Sequence, residues 1–192
     1  SSDLAAQKWS LSARLGKGAT VHFSGTLHFI NELQQPAPQK QRIGLYRTEY
    51  QVSEARELPS SRGLQKQYEH IMRDFPQLDV TYRLMDFSDD KNFLNSAAIE
   101  TNRELRGMRY LLREPKVLVS QLTALLRAAR ETRVQLQILL PYVSERREIA
   151  AVKKQIAEIT AGRHPVKYRL GAMLENAAGV LAAHRWVDDV DF

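Results

Sequence analysis

Val134-Gln135-Leu136-Gln137-Ile138-Leu139-Leu140, then Glu145 to Ala161, then Tyr168-Arg169-Leu170-Gly171-Ala172-Met173, is the stretch whose reading decides the fold. An apolar run of strand length is followed by a helical pattern and then by a second apolar run, the order of a βαβ unit. Gly162 stops the helix and Pro165 prevents its resumption, which separates it from the second strand. Working outward, the same alternation recurs: a strand at Ile43 to Tyr46, a helix at Leu64 to Phe75, a strand at Val80 to Met85, helices at Glu104 to Leu112 and Val117 to Arg130, and a helix at Ala177 to Ala183. Leu64, Tyr68, Ile71 and Phe75 share one helical face, as do Leu118, Leu122, Leu125 and Ala129. Helices with one apolar stripe, alternating with strands, predict an α/β fold with a parallel sheet.

The remaining segments are less regular. Trp9 to Leu15 reads as a first strand, and Gly16 to Gln41 reads as irregular, with a short strand at Val21 to Phe23 and a proline-containing loop at Gln34 to Gln39. Asp188 to Phe192 reads as the start of a further strand that is cut off. A chain of 192 residues suits one domain, spanning 1–192, and is short for a closed eight-stranded barrel of about 250 residues.

Hydrophobic residues make up 43% and charged residues 26%, and no apolar stretch approaches the roughly 20 residues of a membrane-spanning helix. The start, Ser1 to Lys8, lacks the basic-then-apolar plan of a secretory signal, so a cytoplasmic location is expected. With no cysteine, disulfides, thiol nucleophiles and zinc-thiolate sites are excluded within this segment. Lysine and arginine (28) exceed aspartate and glutamate (22), and the net charge of +6 favours an anionic partner. The cations are interspersed with acids along helices, which disfavours nucleic acid. Gly16-Lys17-Gly18-Ala19-Thr20 lacks the spacing of a phosphate loop.

Gly44-Leu45-Tyr46-Arg47-Thr48-Glu49-Tyr50 resembles the strand-end signature Gly-Leu-x-Arg-Thr-Glu-aromatic of phosphoenolpyruvate-utilising barrels of the bacterial phosphotransferase enzyme I family. Later segments follow the family's order. Pro59-Ser60 and Tyr68 resemble its Pro-Thr and Tyr, and Arg83 to Lys91 resembles Arg-Thr-x-Asp-Ile-Gly-Gly-Asp-Lys. Arg106-Gly107-Met108-Arg109 resembles Arg-Gly-Ile-Arg, with Gln121-Leu122 in its helical continuation. Ile138 to Val143 resembles Ile-Met-Phe-Pro-Met-Ile, Gly171 to Asn176 resembles Gly-x-Met-x-Glu-Thr, and Val190-Asp191-Phe192 matches Val-Asp-Phe. The resemblance covers about residues 42–192, leaving 1–41 as a divergent N-terminal strand and loop region.

This resemblance implies a TIM-type (β/α) barrel, incomplete at about five to six of eight strands. It implies a phosphotransferase that moves phosphate from phosphoenolpyruvate to a histidine on a separate domain, leaving pyruvate. Arg47 and Arg106 are the implied catalytic anion clamps, a task that suits planar, permanently charged guanidinium groups. Arg83, Asp86 and Lys91 keep their motif places and are expected to shape substrate binding. Glu175 is the implied ligand for Mg2+, which prefers oxygen donors; the family's second ligand, an aspartate on the next strand, is expected beyond Phe192. Read without the resemblance, Arg47 would be an ion pair with Glu49, and Glu175 a charge at a helix N-terminus.

A phosphohistidine domain, a phosphocarrier protein and a second copy of the chain are partners by analogy, and five parallel strands leave an unpaired edge that also favours self-association. Departures from the family pattern, such as Ser88-Asp89 in place of paired glycines and Asn176-Ala177 in place of Thr-Pro, are compatible with a second reading, a non-catalytic barrel that senses a metabolite or mediates assembly.

Overall fold

The computed structural model describes residues 10–14, 20–27, 41–49, 60–76, 78–86 and 106–192. Six strands lie side by side in sequence order: β1 (Ser10–Arg14), β2 (Thr20–Leu27), β3 (Gln41–Arg47), β4 (Leu78–Arg83), β5 (Leu136–Leu140) and β6 (Tyr168–Ala172). From β2 onward every pairing is parallel. The helices are α1 (Ser61–Asp74), α2 (Gly107–Arg113), α3 (Pro115–Thr132), α4 (Arg146–Thr160) and the short α5 (Ala177–Ala182). The fold is therefore α/β, and parallel strands in sequence order are the arrangement a TIM-type barrel is built from. Among the described residues the sheet does not close on itself. No helix among them is long and apolar enough to cross a membrane.

Two expectations are corrected. β1 pairs antiparallel with β2, and β2 extends over eight residues where the sequence suggests only Val21 to Phe23. Polar and small residues, Ser24-Gly25-Thr26, hide the second half of β2 from a reading based on hydrophobic runs. At the other end, Asp188 and Asp189 belong to a 3₁₀ turn, Val187–Asp189, after which Val190 is extended. Residues 191 and 192 then run along β6 in the same direction: Asp191 N–H donates to Leu170 C=O at 2.7 Å and Ala172 N–H to Phe192 C=O at 3.1 Å. The last residues thus contact β6, although they form no strand of the sheet.

β3 contains one residue more than its neighbours. Ile43 pairs with Val80 and Tyr46 with Tyr82, so three steps on β3 match two on β4, and the same extra residue offsets β3 from β2. Gly44 lies in this bulge, where the missing side chain eases the local bend. In a regular strand Ile43 and Tyr46 would face opposite ways; with the bulge both are buried, at 3% and 0% exposure. Arg47 consequently lies in register with Arg83, both at the C-terminal end of the sheet.

The core lies between sheet and helices. Leu64, Tyr68 and Ile71 of α1 pack with Leu118, Leu122 and Leu125 of α3 and with the buried positions Leu136, Ile138 and Leu140 of β5. The helix ends are specified locally. Ser60 Oγ accepts from Gly63 N–H at 3.1 Å, Pro115 opens α3, and Glu148 accepts from the Ser144 and Glu145 N–H groups at 2.7 and 3.0 Å. Tyr46, Tyr68 and Tyr82 form two edge-to-face contacts, with centroid distances of 5.7 and 5.5 Å.

Burial, which disfavours the phenolate, raises the pKa of both Tyr68 and Tyr82. Each therefore contributes stability that is complete below the unfolded-state value of about 10 and is lost as pH rises toward the folded-state value. On alkaline titration the tyrosinate absorbance of these two rings should appear only with the loss of the circular dichroism signal, and Tyr82→Phe should move that transition to higher pH. Complete tyrosine ionisation with native dichroism would contradict this assignment.

Candidate functional site

Because β3 to β6 are parallel, the loops that follow them all open at one end of the sheet, where barrel sites form. Arg47 ends β3 and Thr48-Glu49 follow it; Arg83 ends β4 and Asp86 lies three residues on. Arg106 is the N-cap residue of α2. Pro141 and Tyr142 follow β5, and Glu175 lies between β6 and α5. Backbone bonds staple these loops together: Leu84 N–H to Leu139 C=O and Met173 N–H to Leu140 C=O, both 2.9 Å, and Met108 N–H to Pro141 C=O, 3.1 Å.

Charge contacts run without a break across this end. Arg47 Nε lies 3.3 Å from Glu49 Oε1, which also accepts from Arg83 Nη2. Arg83 Nη1 lies 3.7 Å from Asp86 Oδ2, which accepts from Arg106 Nη2 at 2.6 Å. The Arg106 guanidinium stacks on the Tyr142 ring, 4.5 Å from its centroid, and Tyr142 N–H donates to Glu175 Oε2 at 3.0 Å. Arg47, Arg106 and Glu175, singled out from the sequence as clamp and metal residues, are thereby connected at a common mouth.

Burial divides the cluster. Glu49 is 0%, Arg83 2% and Asp86 3% exposed, whereas the Arg47 and Arg106 side chains keep 26% and 32% of their surface. The sealed members cannot reach a ligand from water; the half-exposed ones can. Arg83 is enclosed between Glu49 and Asp86, so the guanidinium surface that remains open to an anion belongs to Arg47 and Arg106, while exposed Glu175 brings the charge of the six residues to balance. Burial lowers the Arg106 pKa, but the hydrogen bond it donates to Asp86 and the charges of Asp86 and Glu175 outweigh this and raise the value overall, so the cation is permanent.

Asp86 holds both Arg106 and the start of its helix. Its Oδ1 accepts Gly107 N–H at 3.1 Å while Oδ2 holds Arg106. Gly107 has φ +55°, and a Cβ there would lie 2.4 Å from Tyr142 Cβ and 2.8 Å from the Pro141 carbonyl oxygen. Glycine is needed at this position for both reasons.

The Arg47–Glu49 pair expected from local spacing is present, but Glu49 is enclosed rather than a surface partner. Asn176, not Glu175, makes the capping hydrogen bond of α5, accepting Gly179 N–H at 2.7 Å. Lys91 lies outside the described residues, as does the Ser88-Asp89 substitution.

Gln121 is a positioning residue that the sequence reading quoted without a role. Its Oε1 accepts Met85 N–H at 2.9 Å, and its Nε2 donates to Thr48 Oγ1 at 2.8 Å and lies within 3.3 Å of Tyr68 Oη. Thr48 Oγ1 in turn donates to Arg83 C=O at 3.1 Å. One fully buried amide on α3 thus ties together the chain after β3 and the chain after β4. A polar residue between Ser120 and Leu122 on the apolar face of α3 was the available signal.

Residues 21–192 match the sequence model of the family described as PEP-utilising enzyme, PEP-binding domain. The chain belongs to this family. It is 30% identical over 204 residues, 99% of this chain and 35% of the relative, to the phosphoenolpyruvate-protein phosphotransferase of Streptomyces coelicolor. It is 33% identical over 159 residues, 78% of this chain and 21% of the relative, to the phosphoenolpyruvate-dependent phosphotransferase system protein of Escherichia coli. A phosphoenolpyruvate-protein phosphotransferase of Mycoplasma pneumoniae is 32% identical over 157 residues, 78% of this chain and 27% of the relative. The chain spans about a fifth to a third of the length of these curated relatives. In this member of the PEP-utilising family, the segments Arg42 to Glu49 and Arg83 to Asp86 supply the buried centre of the charge cluster.

Gln121→Leu should cost about 1–3 kcal/mol, because it leaves the buried Met85 N–H without an acceptor. Chemical denaturation measures this directly. A loss below about 0.5 kcal/mol, within the range of an ordinary surface substitution, would contradict the hub assignment.

Proposed function

We propose that this chain is the phosphoenolpyruvate- and magnesium-binding barrel of an enzyme I-like phosphoenolpyruvate-protein phosphotransferase. The observation that carries this reading is the convergence of half-exposed Arg47 and Arg106 with exposed Glu175 at the C-terminal end of a parallel sheet. Arg47 and Arg106 are the catalytic clamps. Their planar donors suit the phosphate and carboxylate of phosphoenolpyruvate and stabilise charge as the bond between phosphorus and the enol oxygen breaks. The phosphoryl group passes to a histidine nitrogen on a separate domain, forming an N–P bond, and the enolate left behind takes up a proton to become pyruvate.

Arg83 and Asp86, first read as substrate-binding, are too enclosed to meet the ligand and instead orient Arg47 and Arg106 from beneath. Lys91 retains the substrate-binding role that its motif implies. Glu175 fits magnesium in kind: it is an exposed oxygen donor, and magnesium is commonly held by one or two carboxylates together with substrate phosphate. When bound there, the ion would supply positive charge that neutralises the substrate. Among the described residues no group of three acidic or histidine side chains surrounds it, so substrate oxygens and water would complete the coordination.

The proposed partners are a phosphohistidine domain and a phosphocarrier protein, in the cytoplasm. A second copy of the chain is a further proposed partner, supported by exposed Leu174, Val180, Leu181 and Val187 at the C-terminal side of β6.

Calorimetry of the folded chain with phosphoenolpyruvate and Mg2+ should give saturable heat. Arg47→Ala and Arg106→Ala should each weaken binding about 10- to 100-fold, from the loss of about 1.5–3 kcal/mol of charge-assisted hydrogen bonding. Glu175→Gln should weaken it only when magnesium is present. Absence of heat, or heat unaffected by Arg47→Ala, would exclude this function. Binding without phosphoryl transfer in a protein that also carries the histidine domain would favour the sensing or assembly module instead.

A further inference from the structure

Among the described residues, two non-glycine residues hold positive φ, Arg133 at 59° and Tyr142 at 55°. Arg133 is the C-cap of α3, where left-handed backbone is common. Tyr142 caps no helix. It lies in the turn after β5, a position where glycine or asparagine would relieve the steric conflict that a bulky side chain meets in this region.

The strained conformation joins two candidate site residues. It aims Tyr142 N–H at Glu175 Oε2, 3.0 Å away, and places the ring against the Arg106 guanidinium at 4.5 Å. Arg106 Nε is buried without a hydrogen-bond partner among the described residues, so on that side the ring is the contact recorded for the group. Asp86 holds the far end of the group through Nη2. Tyr142 Cβ also packs on Gly107, next to Arg106, where no other residue type leaves room for it.

We propose that Tyr142 is a positioning residue that sets the plane of the Arg106 guanidinium with its ring and the orientation of the Glu175 carboxylate with its backbone N–H. Sequence pattern gives no hint of this role, because a tyrosine after Pro141 reads as part of a turn. The inference rests on reading the mouth as an anion and metal cleft. Its physical content is preorganisation: a half-exposed arginine that is already flat and fixed loses less freedom when it takes up an anion.

The test uses the 15N-labelled chain. The Arg106 Nε–Hε cross-peak is identified by its loss in Arg106→Lys and should be displaced upfield by the tyrosine ring. Tyr142→Phe keeps the ring and should keep that displacement, whereas Tyr142→Asn removes the ring, tolerates the backbone and should abolish it without lowering the thermal midpoint. Phosphoenolpyruvate affinity should fall roughly three- to tenfold in Tyr142→Asn and stay unchanged in Tyr142→Phe. A cross-peak unmoved by Tyr142→Asn, or moved equally by both substitutions, would overturn the proposal. If the unaltered chain binds no phosphoenolpyruvate, the functional reading fails, while the cross-peak still decides what Tyr142 does.

Discussion

Arg83 carries a guanidinium with almost no access to water, and it is flanked by Glu49 and Asp86, equally enclosed. Burying such a group is costly unless each charge finds an opposite partner, and removing one partner from a buried pair typically costs about 3–5 kcal/mol. The chain after β3 and the chain after β4 must therefore adopt the conformations that bring Glu49 and Asp86 to Arg83. Once they do, the same carboxylate oxygens that face Arg83 also hold Arg47 on one side, through Glu49 Oε1, and Arg106 on the other, through Asp86 Oδ2. The partly exposed Arg47 and Arg106 side chains are thus held from an enclosed centre.

Neutral devices support this line. The extra residue of β3 at Gly44 turns Arg47 toward the register position of Arg83. Gln121 and Thr48 bind the loops after β3 and β4 to the middle of α3, and Gly107 allows α2 to start against Pro141 and Tyr142. Each acts through backbone geometry or a hydrogen bond between neutral groups rather than through charge.

The parallel α/β order from β3 onward was legible because hydrophobic period and glycine or proline stops separate the elements, as in Leu136 to Leu140 followed by the helix ending at Gly162. The antiparallel start was not, since strand pairing direction leaves no mark on residue spacing and the Ser24-Gly25-Thr26 portion of β2 lacks apolar alternation. At the site, motif order singled out Arg47, Arg106 and Glu175, and a chain of contacts through Glu49, Arg83, Asp86 and Tyr142 links all three at one end of the sheet. What spacing could not convey was which charges are sealed. Arg83 and Asp86 look like ligand-facing residues until three-dimensional packing encloses them, and the work of Gln121 and Tyr142 depends on contacts 33 to 73 residues apart in sequence.

The central claim, that an enclosed acid–arginine line presents two exposed guanidinium groups to a small dianion, is tested most directly by an experimental structure of this chain with phosphoenolpyruvate and magnesium. The account predicts ligand oxygens within about 3 Å of both the Arg47 and Arg106 guanidinium groups, with Arg83 still closed between Glu49 and Asp86. A ligand bound elsewhere while those arginines remain ordered, or an Arg83 side chain that swings out to meet it, would contradict the account.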